Sequence, residues 1–296
     1  MDAYDPTSVF SQNVVAQLAT EQAFKDIRLL NSGYIADART TARRADGAAD
    51  QVEFPYVQEV ANARKVQTNP RNAVAVSADT VKIAHEPVSL ESKIISIELD
   101  EKDLRKIATY SDPNQFMADM VKKWIAEHMQ LAIITRAAAT TLTFPDPTNS
   151  ANIKGIKKGM IKNWGEKAQD APPLVVLHSY AAYDLETSEE VMKKGEYGGL
   201  RPGEITNVAG FNWIMSDQIT STGEDAATKY NNLVLQPGSV ELWFDSIVGQ
   251  GFSRAPKTTA WTFDWWFEYA THIKRTNPKG VMTYVCGATL NTAEAE

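Results

Sequence analysis

The stretch NQFMADMVKKWIAEHMQLAIITRAAAT, Asn114 to Thr140, contains neither glycine nor proline and reads as one uninterrupted helix. At ~1.5 Å of rise per residue it would be roughly 40 Å long, more than a compact domain usually needs, which marks it as a strut. Phe116, Met120, Trp124, His128, Leu131 and Thr135 recur at helical spacing, so this stripe is expected to pack on a sheet. Asp119 and Lys123 stand at i and i+4 and are expected to pair.

Upstream, Asp100 and Asp103 mark the start of a short helix through Leu104 and Ile107, preceded by a strand carrying Ile95, Ile97 and Leu99. Earlier still, Val52, Phe54 and Tyr56 alternate with Glu53, and Val74, Val76, Val81 and Ile83 supply a return strand. Asn69-Pro70 supplies the turn, so Gln51 to Glu86 reads as a long antiparallel hairpin, with Pro55 placing its first strand at an edge. A two-stranded ribbon is marginal alone in water, so this one is expected to rest on a partner surface.

The chain opens with a helix capped by Thr7, with Phe10, Val14, Leu18, Phe24, Ile27 and Leu30 along one face, stopped at Asn31-Ser32-Gly33. The following link, Arg39 to Gly47, holds Arg39, Arg43 and Arg44 among Asp37, Asp46 and Asp50 and offers no obvious core to join. Helix and link together read as an arm that docks elsewhere.

Downstream, Thr143 to Pro147 breaks the strut, and an amphipathic helix carries Ile156, Met160, Ile161 and Trp164. The pattern then becomes α/β: a buried strand Pro173 to Leu177, a helix capped by Ser179 with Tyr183 and Leu185, and a glycine-rich loop at Gly195, Gly198, Gly199 and Gly203. Short strands around Ile205 and Trp213-Ile-Met215 are joined at Gly210. Leu233-Val-Leu235, the turn Gln236-Pro-Gly238 and Val240 close this unit, and Trp265-Trp-Phe267, the turn Asn277 to Gly280 and a strand Val281 to Cys286 end the chain.

With 296 residues, 43% hydrophobic and 23% charged, the sequence can bury one or two cores. Its formal net charge of −7 supplies no global attraction to nucleic acid. The lone Cys286 excludes an intrachain disulfide and a cysteine-based zinc site. The first residues, MDAYDPTSVF, lack the positive flank and apolar run of a secretory signal, and no apolar run reaches ~18 residues, so synthesis in the cytoplasm and no membrane span are expected.

No catalytic, cofactor-binding or metal-ligating residues emerge. His85, His128, His178 and His272 have no partner at a ligand spacing such as HExxH. Gly195 to Gly203 lacks the phosphate-loop pattern GxxxxGK[ST], Gly155 to Gly159 fails it too, and Ser179 is not in a GxSxG elbow. The seven tryptophans read as core and interface anchors.

In this order, the helical segment Thr7 to Asn31, hairpin Gln51 to Glu86, strand Lys93 to Leu99 and strut resemble the major capsid proteins of tailed bacteriophages, with the Hong Kong 97-like fold. Leu174-Val-Val-Leu-His-Ser179 with Asp184-Leu185, Gly203-Glu-Ile205 through Trp213-Ile-Met-Ser-Asp217, and Leu233 to Val240 are similar to that family's A-domain. The resemblance implies an α+β chain divided into an N-terminal arm (1–50), an E-loop hairpin (51–86), a P-domain (87–170) with its spine helix (114–140), an A-domain (171–260) and a C-terminal return to the P-domain (261–296). It implies homo-oligomers, hexamers and pentamers closing an icosahedral virion shell, assembled in the host bacterial cytoplasm around double-stranded DNA contacted non-specifically. Portal, scaffolding and decoration proteins are the partners it implies, and it implies no enzyme activity and no cofactor; many relatives carry an amino-terminal scaffolding extension, whereas here the arm begins within the first residues, so a fused scaffold is not expected. Two alternatives stand beside it: an encapsulin-type nanocompartment shell, and a small α/β hydrolytic enzyme that brings His178 together with a carboxylate such as Asp184.

Overall fold

The computed structural model describes residues 10–45, 48–58, 82–110, 112–146, 150–169, 171–187, 206–208, 210–223, 228–254 and 260–288. Thr7, the Asn69-Pro70 turn, Val74, Val76 and Val81, the glycines from 195 to 203, and Ile205 lie outside these residues.

The chain runs through α1 (Gln12–Asp26), α2 (Arg28–Asn31), β1 (Ile35–Asp37), β2 (Arg43–Ala45), β3 (Ala48–Gln58), β4 (Lys82–Ser89), β5 (Glu91–Asp100), α3 (Glu101–Ile107) and α4 (Pro113–Ala138). Then come β6 (Thr143–Pro145), α5 (Ile153–Trp164), β7 (Leu174–Leu177), α6 (Ser179–Thr187), β8 (Thr206–Val208), β9 (Phe211–Met215), β10 (Ser221–Thr222) and β11 (Lys229–Leu235). The last strands are β12 (Val240–Phe244), β13 (Val248–Arg254), β14 (Ala260–Ile273) and β15 (Val281–Cys286).

The strut is α4, 26 residues and therefore about 39 Å long. It starts at Pro113, whose missing N–H costs nothing in the first turn, and the Asp112 carboxylate caps it by accepting from the Gln115 N–H at 2.9 Å. Of the expected packing stripe, Met120 packs against the core and His128 meets Phe267 and Tyr269 of the sheet, but the larger residues do not. Trp124, Leu131 and Phe116 are 43%, 41% and 37% exposed, while Met117, Val121, Ile125, Met129, Ile133 and Ile134 are buried. The smaller Ala118, Ala126 and Ala137 complete that buried surface. Both sides of α4 are apolar, and the aromatic side is the outer one. The expected Asp119–Lys123 pair is also replaced: Asp119 meets Lys122 at 2.9 Å, and Lys122 reaches on to Asp26 at 3.7 Å.

A five-stranded sheet follows the order β1-β12-β14-β13, with β5 on the other edge of β14. A seven-stranded sheet runs β6-β15-β11-β7-β9-β8, with β10 against β11. The buried face of α4 packs into one cluster with Phe263, Trp265, Phe267 and Tyr269 of the first sheet and Leu174, Val176, Leu233, Leu235 and Val281 of the second. The strut is the beam on which both sheets rest. On the far side of the second sheet, Ile156, Met160 and Trp164 of α5 and Leu185 of α6 pack over Val175, Leu177, Val234 and Tyr284. Ile161, expected in that face, is exposed.

Two turns need glycine: Gly210 (φ +88°) between β8 and β9, and Gly238 (φ +65°) where the chain leaves the second sheet for the first. Through that second turn β12 joins β14, although the sequence placed Val240 with the strands before it. Conversely β15, read as part of the C-terminal return, lies in the sheet with β7 and β11.

The helix α1 does not dock elsewhere. Val15, Ala16, Ala19, Ala23 and Ile27 are buried in the same cluster as α4, and Val14, expected inside, is 44% exposed. Alanines at this spacing let two helix backbones approach closely. The side-chain amides of Gln22 and Gln115 exchange hydrogen bonds at 3.2 and 3.1 Å, and the Ser11 N–H donates to Asn114 Oδ1 at 2.9 Å.

Shortening Ile125 to Ala should therefore cost the unassembled subunit about 2–5 kcal/mol in chemical denaturation. Trp124→Ala on the outer face should cost less than about 1 kcal/mol, because its ring remains wet in the isolated chain.

Candidate assembly surfaces

Along β14 the inward side chains Phe263, Trp265, Phe267 and Tyr269 are buried, and the outward Thr262, Asp264, Trp266 and Glu268 are half-exposed. The alternation breaks at Ala270 and His272, which point outward yet are buried. The cause is the root of the ribbon. Val52 and Phe54 of β3 land there and form a small core with Ala38, Ala42, Trp243 and Ala270. Ala38 and Ala42 belong to the link that had no evident core in the sequence.

Charges fix this root from both sides. Arg44 reaches Asp245 at 2.7 Å and also Glu268, and Arg43 meets Glu53 at 3.5 Å, so these arginines bridge within the chain. Arg39 pairs with Asp37 at 2.5 Å. Further along, the Phe54 ring lies 5.0 Å from His272, the Arg275 guanidinium sits 4.8 Å over the Tyr56 ring, and Glu86 lies 3.6 Å from Arg275. The strands β3 and β4 pair from Gln51↔Ser89 to Gln58↔Lys82, so the return strand ends three residues beyond the expected Glu86. Their neighbour β2 pairs only as far as Arg43↔Glu53, leaving Pro55 on an open edge, where its missing N–H breaks no ladder.

Among the described residues, two apolar surfaces are open to solvent. One is the outer stripe of α4, continued by Tyr110, whose ring lies 5.2 Å from that of Phe116. The other is the uncovered end of the five-stranded sheet. There Ile94, Trp266 and Val248 form a row across β5, β14 and β13, with Ile94 61% and Val248 39% exposed. Sequence reading found Ile95, Ile97 and Leu99 but missed this row. Its signal is phase: Ile94 and Trp266 are large apolar residues on the face that period-two alternation assigns to water.

The histidines do not converge. His272 Nε2 lies 3.8 Å from Glu86, while His128 Nε2 is 3.1 Å from the Tyr269 hydroxyl, which donates to Glu91 at 2.6 Å. His178 stacks on Tyr230 with 4.1 Å between centroids. Burial holds His178 below the usual imidazole range, and the carboxylate opposing that shift is Asp217. Asp184 is buried and acts instead on Cys286, whose thiol burial pushes up to about 12. The carboxylate that acts on His178 is thus Asp217 and not Asp184. Among the described residues no group of three or more His, Cys, Asp or Glu is placed to hold a metal, and no helix is long and apolar enough to cross a membrane.

No family model matches the sequence, and no curated protein matches it either. The fold does match known structures. The capsid of Ralstonia phage GP4 aligns over 87% of this chain and 90% of its own, at 12% identity and a TM-score of 0.60. A structure from Mycobacterium phage Che8 covers 82% of this chain and 92% of its own, at 15% identity and a TM-score of 0.52. The holo-SrpI encapsulin complex of Synechococcus elongatus covers 70% and 78%, at 13% identity and a TM-score of 0.50. The chain therefore has the Hong Kong 97-like α+β fold of the tailed-phage capsid proteins.

Acid should loosen the ribbon root. Burial lowers the pKa of His272, as do Arg136 and Arg275, against an opposing pull from Glu86. The folded chain then refuses a proton that the unfolded chain accepts below about pH 6.5, so this contribution is full above that pH and is lost as the pH falls. Hydrogen exchange at residues 52–57 and 83–88, corrected for its intrinsic pH dependence, should quicken between pH 7.5 and 5.5. His272→Phe should flatten that response.

Proposed function

We propose that this chain is a structural protein whose copies assemble through hexamers and pentamers into an icosahedral shell enclosing double-stranded phage DNA. The observation that carries this reading is a ribbon rooted on its own body but running off it. From Val52 over Ala270, through Phe54 at His272, to Tyr56 at Arg275, β3 advances toward and past the end of β14. A two-stranded ribbon gains little stability alone, and a neighbouring subunit supplies the surface it lacks. The likeness to the GP4 capsid over 87% of the chain supports the same reading. Burial between copies takes the place of catalysis, with interfaces of roughly several thousand Å² per subunit, as in obligate assemblies. A net charge of −7 leaves the wall without a general attraction for DNA, so packaged DNA stays movable.

The division that fits this role joins α4 to the five-stranded sheet as the P-domain and makes the seven-stranded sheet the A-domain. The expected range 171–260 then holds β12 and β13 of the five-stranded sheet, while β6 and β15 of the seven-stranded sheet lie outside it. The loop containing Gly195 to Gly203 would meet its copies around the capsomer axes. The virion is the location, reached by assembly in the host cytoplasm with portal and scaffolding proteins and, on the finished shell, decoration proteins. The likeness to the encapsulin supports a second reading, a shell around protein cargo.

Negative-stain microscopy of the expressed chain should show uniform closed particles, and nuclease-protected DNA in particles from infected cells separates a virion from a cargo compartment. Because Gln58 and Lys82 face each other across the ribbon, an Asn-Gly turn can replace residues 59–81. That variant should fold with unchanged circular dichroism yet form no shells. Normal shells from it would remove the ribbon from the assembly mechanism.

A further inference from the structure

We infer that the lysine face of α5, with the apolar cavity beside Ile161, docks an acidic segment of a separate protein and seats one apolar side chain of that segment among the lysines. The helix IKGIKKGMIKNW carries four lysines and no acid, in a chain whose net charge is −7. At roughly 100° per residue, Lys154, Lys157, Lys158, Ile161 and Lys162 fall on one outward arc with Ile161 inside it. All five are exposed, Ile161 by 64%. Among the described residues Lys157, Lys158 and Lys162 meet no carboxylate; Lys157 instead lies 5.7 Å over the Phe211 ring, and Lys162 lies 5.8 Å over that of Phe144. Two glycines press this helix onto the sheet. A Cβ at Gly159 would stand 3.0 Å from the Phe144 ring, and one at Gly155 would run into the Asp146 carboxylate. The stretch Gly155 to Gly159, which is not a phosphate loop, thus serves close packing and brings the lysines down to the aromatic rings.

Beside the arc, Met160 and Ile161 line a cavity of about 480 Å³ together with Pro172, Pro173 and Phe211. Lys157 shares that lining, and none of its residues is acidic. The cavity decides which anion fits. Nucleic acid would bring phosphates to the lysines but set a charged backbone against Ile161 and the apolar walls. A small amphiphile has one head group, whereas Lys154 and Lys162 are about 12 Å apart along the helix. A peptide with carboxylates on either side of one apolar side chain satisfies both the charge and the cavity. A second copy of this chain offers no such segment among the described residues. Leu99 stands between Glu98 and Asp100, and Leu185 between Asp184 and Glu186, yet both leucines pack into their own core. Trp266, between Asp264 and Glu268, stands on an open sheet face too broad to enter the cavity, and Glu268 is held by Arg44.

Fluorescence anisotropy of a fluorescein-labelled peptide, one phenylalanine between two pairs of glutamates, tests this on the full chain. The peptide should bind with a Kd below about 1 mM that weakens as salt is raised. Alanine in place of the peptide's phenylalanine, and I161D in the chain, should each raise Kd about tenfold, and K157E/K158E/K162E should abolish binding. These chain positions are exposed, so both variants should melt within about 2–3 °C of wild type. No binding by the wild-type chain would overturn the proposal. So would equal binding of the alanine peptide, a comparison that needs no chain variant to fold, since it belongs to charge alone. A short labelled DNA duplex that binds the wild-type chain more tightly than the peptide, and loses that binding in the triple variant, would make the face a nucleic-acid surface and equally overturn it. The peptide should bind assembled particles and dissociated subunits alike. Binding that particles lose would give the face to a neighbouring copy and overturn the separate partner. Because binding is read on the subunit, a chain that forms no particles would refute the shell reading alone.

Discussion

The subunit depends on burial of one face of α4 between two sheets and a helix. Met117, Val121, Ile125, Met129 and Ile133 are fully buried in a cluster that includes residues of both sheets and of α1. Neither sheet contributes a strand to the other, so the apolar face of the strut is a principal means of holding them together. Such a beam must be long and straight, which explains why the helix tolerates no interior glycine or proline.

A body organised this way is closed on the inside and open on the outside. The five-stranded sheet buries Phe263, Trp265 and Phe267 against helices, and among the described residues its other face is covered where Val52 and Phe54 descend on Trp243 and Ala270. The remainder of that face and the outer stripe of α4 present large apolar side chains to water. Apolar surface concentrated in this way is a feature of chains that associate. The ribbon supplies the converse element, a strand pair anchored through a small core and several ion pairs, whose Val57 and Ile83 are exposed near the end of its described part.

The sequence made the strut, the first strand of the ribbon, the short α3 helix and the buried β7 strand readable, because each has an uninterrupted periodicity or sharp punctuation, but not the ribbon's root on Ala38, Ala42 and Ala270 of its own chain. It misled about which side of α4 is buried. Phe116, Trp124 and Leu131 form the more conspicuous stripe, yet Met117, Val121, Ile125 and Met129 on another side, helped by small alanines, make the closer contact with the sheets. The same bias toward large residues hid the alanine face of α1 and turned a packed helix into a free arm. Nor could local pattern show that β12 and β15 exchange sheets: pairing partners lie far apart along the chain, as Leu242↔Thr271 and Leu233↔Thr283 do. The row Ile94–Trp266–Val248 required that register before its members could be seen as neighbours.

The central claim is that the apolar row on the open sheet face is dry only when copies come together. Hydroxyl-radical footprinting of Trp265 and Trp266, read by mass spectrometry in assembled particles and in dissociated subunits, separates the two faces of one strand. Trp265, buried in the subunit, should label weakly in both states, and Trp266 should label readily in the subunit and become protected in the particle. Equal labelling of Trp266 in both states would contradict the account.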